Sequence, residues 1–483
     1  MKRVVLWMIV LALGTASGAF AQQPGEIFGR VTDASGAIMP GVAVSVSGGS
    51  LLQPMTATTS ATGSYRFPGL GVGLYTVRFE LGGFRTLVRD RVRVEIGANV
   101  QINAALEISQ LEETVTVTGE TPVVDLRDTS KTTRFTQESL QSIPSARDPW
   151  VILEQSAGVA MDRSNVGGSQ SGQQSNFVAR GAAMREQKWN LDGVDITDMS
   201  ATGGSPVYYD FDAFEEMQIS AGGADVTMQS PGVSVNLVTK SGTDTLKGSG
   251  RFYITDEKFQ SVNVTDELRR QGASTGNPIQ SIKDYGFEAG GPIKRGRAWF
   301  WGSYGKQNID VGVNNFFKDS QTCQAQKAAL KLDQTAVSIE DVRGCLNPDS
   351  TLLNNYNAKL AVEPFRNNQF AFLFNGAEKV RNARDASDLR PLETTYRQLG
   401  VTREDLGSSW WKTGMPKTYK WSDRHIFSDR FMAEVSYAHV GNNFTMTFHD
   451  ESLRGIQPMY EATAVSGLWA RSYQEWVYVR PTD

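Results

Sequence analysis

The stretch GVSVNLVTKSGTD, Gly232–Asp244, decides the fold because the length and pattern of the apolar runs change across it. Before it, from Phe177 onward, apolar residues fall in short runs joined by tight turns. After Lys240 the runs are longer, alternate apolar with polar residues, and are rich in aromatic side chains. Alternation with a period of two predicts β-strands. The stretch therefore marks a boundary between a domain of short strands and a region of long ones.

The clearest pair of long strands is YGFEAGGPIKRGRAWFWGSYGKQN, Tyr285–Asn308, which predicts a hairpin turning at Lys294–Gly296. Its second arm puts Trp299 and Trp301 on one face. Such alternating segments of about ten residues are typical of transmembrane barrel strands, although a soluble β domain shows the same alternation. Two further pairs are predicted, Asn357–Pro364 with Asn368–Val380 and Ser428–Val440 with Asn443–Ser452.

The composition narrows the class of protein. The 483 residues carry a net charge of only -4 with the signs interspersed, so no basic block favours a nucleic acid partner. His425, His439 and His449 are scattered, and no zinc-ligand spacing occurs. We therefore predict no enzyme, no metal site and no cofactor.

The N-terminus has the pattern of a secretory signal peptide. Lys2 and Arg3 precede the apolar run Val4–Leu13, and small residues lead to Ala19-Phe20-Ala21. The alternative, a transmembrane anchor, fits less well because the run is too short to span a bilayer. We predict a signal peptide over residues 1–21, cut after Ala21.

The two cysteines, Cys323 and Cys345, lie in one polar segment that we expect to be a loop between about Asn308 and Asn354. An exported chain with two cysteines on one loop most simply forms one disulfide. Two free thiols are the alternative.

Residues 22–109 show about seven short alternating runs separated by turns, a pattern that predicts a small β-sandwich. The segments GRVTDASGAIMPGVAVSV, Gly29–Val46, and ATGSYRFPGLGVGLYTVRFELGGFRT, Ala61–Thr86, resemble the carboxypeptidase regulatory-like domain. The resemblance implies a prealbumin-like sandwich that is only the accessory module of such enzymes. Its expected role here is structural or adhesive.

Residues 126–243 resemble the plug domain of TonB-dependent outer-membrane receptors. The matching motif residues, in family order, are Arg180, Gly181, Asn190, Asp192, Gly193, Asn236, Thr239 and Lys240. Two positions depart from the family pattern, because Glu216 replaces an arginine and Val233 replaces a second glycine. An ion pair drawn from that arginine is therefore not carried over.

Two short helices are expected at the start of this domain. Thr136 can cap the first, which ends before Pro144. Ser145 can cap the second, which carries Trp150 and stops near Gly158.

The run LEETVTVTGETPVVD, Leu111–Asp125, alternates like a strand but has no obvious partner of similar length nearby. It resembles the TonB box of these receptors, within a linker over residues 110–125. The residues assigned to the box are Glu113, Thr114, Val115, Thr116, Val117 and Thr118. An isolated strand keeps its backbone donors and acceptors free, so another protein can add it as an edge strand. The alternative is that Thr114–Thr118 is the last strand of the sandwich.

Residues 244–483 hold roughly eight predicted strands, and an eight-strand barrel is filled by its own side chains. The resemblance implies a barrel of 22 strands, so we expect this chain to be an N-terminal fragment. The predicted fold is mainly β: a prealbumin-like sandwich, an α+β plug domain, and the incomplete N-terminal part of a transmembrane antiparallel β-barrel.

The combination resembles the Oar-like TonB-dependent receptors. It implies an outer-membrane protein embedded in lipid that takes up an extracellular ligand with energy from TonB and ExbB/ExbD. The ligand class stays open among siderophore, cobalamin, glycan and protein. Ligand contacts are expected from the loops Arg163–Asn176 and Ala201–Tyr208. The alternative function is a non-transporting surface adhesin or carbohydrate-binding outer-membrane protein.

Overall fold

The computed structural model describes most of the chain between residues 24 and 470. The described residues are 24–108, 114–118, 132–143, 145, 147, 149–161, 174–179, 181–198, 204–205, 208–222, 232–273, 275–384, 386–388, 392, 396–399, 417–428, 431–441, 445–449, 459–461 and 468–470. The predicted signal peptide with Ala21, the first TonB-box residue Glu113, the motif residue Arg180 and most of both predicted ligand loops lie outside them.

The N-terminal domain is a sandwich of two sheets. Its strands are β1 (Gly25–Asp33), β2 (Ala43–Gly48), β3 (Met55–Thr58), β4 (Ser64–Leu70), β5 (Gly73–Glu80), β6 (Thr86–Val94), β7 (Asn99–Gln101), β8 (Ala104–Leu106) and β9 (Thr114–Thr118). One sheet has the order β4-β1-β7, with β8 also paired to β1, and the other has the order β3-β2-β5-β6-β9. Alternate residues such as Ile27, Val44, Phe67 and Phe79 are fully or almost fully buried between the sheets. This alternation is what the sequence pattern predicts.

Strand β9 corrects one expectation. The run at Thr114–Thr118 was expected to find no partner in its own fold, but it pairs in parallel with β6, from Thr86 opposite Thr114 to Asp90 opposite Thr118. The alternative prediction, that Thr114–Thr118 is the last strand of the sandwich, agrees with this pairing. The sequence hides this pairing because the partner lies across the β7 and β8 crossover rather than in an adjacent hairpin.

The central domain is a small mixed α and β unit. Its elements are β10 (Thr132–Thr136), α1 (Gln137–Ser142), α2 (Pro149–Glu154), β11 (Val159–Met161), β12 (Phe177–Ala179), β13 (Lys188–Leu191), β14 (Val194–Asp195), β15 (Phe214–Ser220) and β16 (Ser234–Thr239), with 3-10 turns at Met184–Glu186 and Phe211–Ala213. The main sheet has the order β10-β15-β16-β13-β14. Trp189 is fully buried in the core, next to the rings of Trp150, Phe177 and Tyr209.

The first predicted helix is confirmed and the second begins later than predicted. The Thr136 hydroxyl caps α1 by accepting a hydrogen bond from the Ser139 amide. The Ser145 hydroxyl instead accepts from the Arg147 amide, and α2 starts at Pro149. Arg147 has a φ of 58°, so the chain turns there rather than entering a helix.

The rest of the chain forms one large antiparallel sheet with a few helices in its connections. Its elements are β17 (Lys247–Asp256), α3 (Asp266–Arg270), β18 (Ile279–Lys294), β19 (Ala298–Phe317), α4 (Gln321–Leu332), α5 (Ile339–Gly344), β20 (Leu346–Val362), β21 (Asn368–Arg381), β22 (Tyr396–Leu399), β23 (Lys417–Ile426), β24 (Met432–Val440) and β25 (Thr445–Phe448). A 3-10 turn covers Glu257–Phe259, and β26 (Met459–Glu461) pairs separately with β27 (Leu468–Ala470).

The pairing confirms the hairpin between β18 and β19 and corrects two other expectations. Strand β24 pairs with β23, not with β25, which pairs with β22. The loop expected from Asn308 to Asn354 is shorter, because the ladder of β19 and β20 continues to Gly312 opposite Pro348. Its polar sequence favours a loop, although Asp349 and Thr351 within it are buried residues of β20.

The two ends of the large sheet differ. At one end short turns join β18 to β19, β20 to β21 and β23 to β24, and at the other end lie the long connections that carry α3, α4 and α5. The sandwich contacts the short-turn end. Its contacts are the Gln53 side-chain amide with the Gly296 carbonyl at 2.7 Å, the Thr56 hydroxyl with Arg366 at 3.2 Å, and the Gly69 carbonyl with Arg424 at 2.9 Å. Short turns are typical of the periplasmic side of an outer-membrane barrel.

The two faces of the large sheet also differ. Trp299 and Trp301 lie on the inner face and are 2% and 4% exposed, as their shared face predicts. Phe287, Tyr356, Trp421 and Tyr437 lie on the outer face and are exposed. An exposed aromatic outer face fits a lipid-facing wall. Within the described residues, no helix combines the length and apolarity that crossing a bilayer requires.

Candidate functional site at the contact between the central domain and the large sheet

Asp192 places a buried carboxylate at the contact. It sits in the turn between β13 and β14, where Asp192 has a φ of 47° and Gly193 a φ of 78°. The second value favours glycine, which explains the Asp-Gly pair. The Asp192 carboxylate accepts a hydrogen bond from the Thr239 hydroxyl at 2.6 Å and pairs with the Lys359 ammonium at 2.8 Å. Two residues of the predicted motif therefore meet a lysine of β20.

Two lysines of the large sheet reach into the central domain. The Lys359 ammonium also donates to the Thr239 carbonyl at 2.7 Å, and the Lys420 ammonium donates to the Asp192 carbonyl at 3.1 Å. These bonds satisfy polar groups that the contact removes from water. The Asp192 turn is thus held from both β20 and β23.

The third motif residue, Lys240, faces β18. Its ammonium lies 2.7 Å from a Glu288 carboxylate oxygen, and the side chains of both residues are at most 15% exposed. The other Glu288 oxygen accepts from the Trp301 indole at 3.3 Å. Trp301, which the hairpin pattern places on the same face as Trp299, is therefore part of this contact.

A second charged cluster joins the central domain to β17 and β18. Arg251 pairs with Asp210 at 2.6 Å, with Asp212 at 3.0 Å and with Asp284 at 3.2 Å. Arg147 pairs with Asp284 at 2.9 Å and also with Asp212. Two arginines therefore neutralise most of the charge of three carboxylates in a nearly dry contact.

Burial sets the electrostatics of this cluster. Burial raises the pKa of Asp210 above its usual value; the Arg251 charge lowers it, and the charges of Asp212 and Asp284 add to the rise. Burial opposes the charge of Arg147, but its bonds and charge interactions with Asp212 and Asp284 raise its pKa overall. The Arg251 charge thus favours the charged state of the Asp210 carboxylate.

Tyr208 gives a third contact, with β21. Its hydroxyl accepts a hydrogen bond from the Lys379 ammonium at 2.6 Å, and the ammonium lies 4.1 Å from the ring centre. Burial raises the pKa of Tyr208 to about 12, with the charges of Arg384 and Arg381 opposing the rise. The phenol is therefore neutral at physiological pH.

Other motif residues shape the central domain itself. Asn190 lies opposite Asn236 in the parallel ladder, and the Asn236 amide donates to the Gln218 carbonyl oxygen at 3.4 Å. Gly181 has a φ of 80°. A Cβ on Gly232 would meet the Glu186 carbonyl, so only glycine fits that close approach. These four residues make the fold, whereas Asp192, Thr239 and Lys240 contact the large sheet.

Sequence reasoning missed the second charged cluster. Arg147 and Arg251 lie more than a hundred residues apart and match no motif. The sequence offers one sign of this cluster, the two acids Asp210 and Asp212 just before a strand. Their role as ion-pair partners depends on the distant arginines.

Glu216 lies on the other side of the central domain, against the sandwich. It is 1% exposed. Burial raises its pKa from 4.5 to about 7, the Glu95 charge adds to the rise, and the Ile96 amide, Arg134 and Arg93 oppose it. Arg134 pairs with Glu95 at 3.2 Å. The residue that replaces the family arginine is thus a buried acid at the contact with the sandwich.

The predicted cysteine pair lies in the long connection between β19 and β20. Cys323 and Cys345 form a disulfide with Cα atoms 5.3 Å apart. The bridge ties the start of α4 to the residue after α5. In the described part of the chain, no three His, Cys, Asp or Glu side chains gather into a group that could hold a metal.

A pocket of about 510 Å³ lies beside the Asp192 turn, between the sandwich, the central domain and the large sheet. Its walls include Ser50 and Leu74 of the sandwich, Lys240 of the central domain, and Lys359 and Lys420 of the large sheet.

Comparisons with known families match each of the three regions. Residues 26–107 match the carboxypeptidase regulatory-like domain, residues 125–235 the TonB-dependent receptor plug domain, and residues 238–379 an outer membrane beta barrel domain.

Individual proteins are also similar to parts of the chain. The chain is 28% identical over 306 residues to the TonB-dependent transporter Oar of Myxococcus xanthus, which covers 61% of this chain and 28% of the relative. The chain thus spans about a quarter of the length of the curated relative it matches. Among solved structures, the outer membrane transporter YddB from Escherichia coli aligns with a TM-score of 0.44 at 10% identity, covering 66% of this chain and 40% of that one. The ferric enterobactin receptor PfeA from Pseudomonas aeruginosa aligns with a TM-score of 0.42 at 12% identity, covering 68% and 43%.

Along the chain, a region similar to a carboxypeptidase regulatory-like domain is followed by one similar to the TonB-dependent receptor plug domain and one similar to an outer membrane beta barrel domain. The particular relationship follows from the sequence match, since this chain is a homologue of the Oar transporter and an outer-membrane protein.

Proposed function

We propose that this protein takes part in uptake of a ligand across the outer membrane, with energy coupled through TonB. The class to which it is homologous consists of transporters rather than enzymes. TonB, acting with ExbB and ExbD, is the proposed partner at the periplasmic face.

The observation that carries the proposal is the chemistry of the contact between the central domain and the large sheet. The central domain has a hydrophobic core of its own around Trp189, made almost entirely of its own residues. Its contacts with the large sheet, in contrast, are charged and polar, through Asp192, Lys240 and Asp210. A unit with its own core keeps its fold when such contacts exchange partners, as movement of a plug requires.

The proposed TonB box is the strand Thr114–Thr118 with Glu113 before it. A strand adds to a partner sheet mainly through main-chain hydrogen bonds. Val115→Pro removes one backbone donor from this strand. We expect binding of the purified chain to the C-terminal domain of TonB from the same organism to weaken about tenfold or more, since a lost bond and a steric clash add.

Val115→Ile is the matched control because it keeps the donor and the β-branched side chain. Thermal unfolding of both variants shows whether the sandwich is intact. Unchanged TonB binding by a folded Val115→Pro chain would contradict the proposed box.

A further inference from the structure

We propose that the sandwich presents the strand Thr114–Thr118 as a ready-made edge strand, to which the coupling partner adds without displacing it from β6. The inference rests on the proposed function, because it concerns how the TonB box is offered to TonB. It assigns the sandwich an interaction surface, the outer edge of the sheet β3-β2-β5-β6-β9.

The first observation is the register. Thr114 to Thr118 pair one by one with Thr86 to Asp90, so the whole strand is aligned along the sandwich. The residue after Asp90 is Arg91, whose φ is 57°. This left-handed residue bends β6 away from extended geometry just where the pairing ends. The pairing with β9 therefore ends at this irregularity, although β6 itself continues to Val94.

The second observation is the open edge. Strand β9 ends the sheet order, and within the described residues no strand pairs with its other side. Successive residues of a strand point their backbone groups to opposite sides, so half of the donors and acceptors of β9 face away from β6. An edge of this kind is a template for a further strand.

The physical advantage is preorganisation. A disordered five-residue segment loses backbone entropy when a partner fixes it, and this loss weakens binding. Pairing with β6 has already fixed the backbone of Thr114–Thr118. The partner then gains its main-chain bonds at a lower entropic cost.

Pairing with β6 also determines where a pull acts first. The strand is joined to the sandwich along its full length. The sandwich in turn contacts the large sheet through the Gln53, Thr56 and Gly69 bonds. A pull on the strand therefore acts first on the sandwich, and through it on its bonds to the large sheet and on its Arg134–Glu95 ion pair with the central domain.

A disulfide lock tests the inference on the full chain. Val88 lies opposite Thr116 in the register, so Val88→Cys with Thr116→Cys should cross-link on oxidation. The matched control is Val88→Cys with Val115→Cys, because the register pairs Val115 with Leu87 and successive side chains alternate faces. The control should not cross-link. The native cysteines are already joined to each other.

The readout is binding of the purified TonB C-terminal domain to the oxidised and reduced chains. Presentation predicts that the locked chain binds within about threefold of the reduced chain, or more tightly. Absence of the cross-link, or a loss of about tenfold or more on locking that reductant reverses, would overturn the inference while leaving TonB coupling intact. If neither the locked nor the reduced chain binds the TonB domain, the proposed function fails, and presentation fails with it.

Discussion

The central domain and the sandwich both contact the large sheet, but by different chemistry. The central domain uses buried ion pairs, such as Arg251 with Asp210, whose side chains are 11% and 0% exposed. The sandwich uses single hydrogen bonds, and those of Gln53 and Thr56 are exposed to solvent. Removing one partner of a buried pair leaves an uncompensated charge, whereas an exposed bond is readily replaced by water.

The difference indicates which contact holds its domain firmly and which one is released easily. The buried pairs fix the central domain in one position because each charge has few alternative partners. The sandwich, in contrast, can leave the short-turn end at little cost. We therefore expect the order of release to be sandwich first and central domain second.

The largest expected effect comes from breaking the buried ion pairs between the central domain and the large sheet. Arg251→Ala leaves Asp210, Asp212 and Asp284 with Arg147 as their only cation among the ion pairs of this cluster in the described residues. We expect the central domain to lose about 3–5 kcal/mol of stabilisation against the large sheet. Hydrogen exchange of its amides in the purified chain measures this loss.

Lys247→Ala is the control for that experiment, because Lys247 is an exposed cation on the same strand. A loss below about 1 kcal/mol for Arg251→Ala would mean that the buried cluster does not hold the central domain.

A smaller effect concerns the contact between the central domain and the sandwich, where Glu216 is buried. Its pKa is raised from 4.5 to about 7, so the folded state favours the protonated acid. The stability that this protonation contributes is fully present below pH 4.5 and is lost as the pH rises to about 7. Glu216→Gln should therefore stabilise the chain by up to about 3 kcal/mol at pH 8 and by little at pH 4.

Urea unfolding at both pH values measures that difference. Glu215→Gln is the control, since it makes the same chemical change at the adjacent, partly exposed residue. An equal effect of Glu216→Gln at pH 4 and pH 8 would show that the acid does not titrate in this interval.

The smallest effect is expected at the contact between the sandwich and the short turns. Gln53→Ala and Arg366→Ala each remove one exposed hydrogen bond. Each should change the global stability by less than about 0.5 kcal/mol. Limited proteolysis should nevertheless release the sandwich faster while the central domain keeps its protection. Loss of that protection would reverse the proposed order of release.

Local pattern predicted much of this architecture. The alternation around Trp299 and Trp301 predicted the hairpin and the face that the two tryptophans share, and Thr136 predicted the start of α1. These features depend on neighbours in sequence. The resemblance to the plug family identified Asp192, Thr239 and Lys240, which the structure gathers at the large sheet.

Features that depend on distant residues were missed or misjudged. We expected strand β9 to have no partner strand, because its local sequence does not indicate that it pairs with β6. Strand β24 was paired with the next segment along the chain, although its ladder is with the preceding one. Asp210 and Asp212 are identified as ion-pair partners only in the folded structure, which brings Arg251 to them. Pairing across long loops is set by tertiary packing, which local periodicity does not encode.

The pocket beside the Asp192 turn affects the energy barrier to any movement of the central domain against the large sheet. Its volume of about 510 Å³ far exceeds the share of roughly 30 Å³ that one water molecule takes in the liquid, so the pocket has room for water. Lys359 and Lys420 line it, so water can take over one hydrogen bond of the turn before the next is broken. If the central domain moves during uptake, as proposed, such an exchange of hydrogen bonds with water would replace one high barrier with several lower ones.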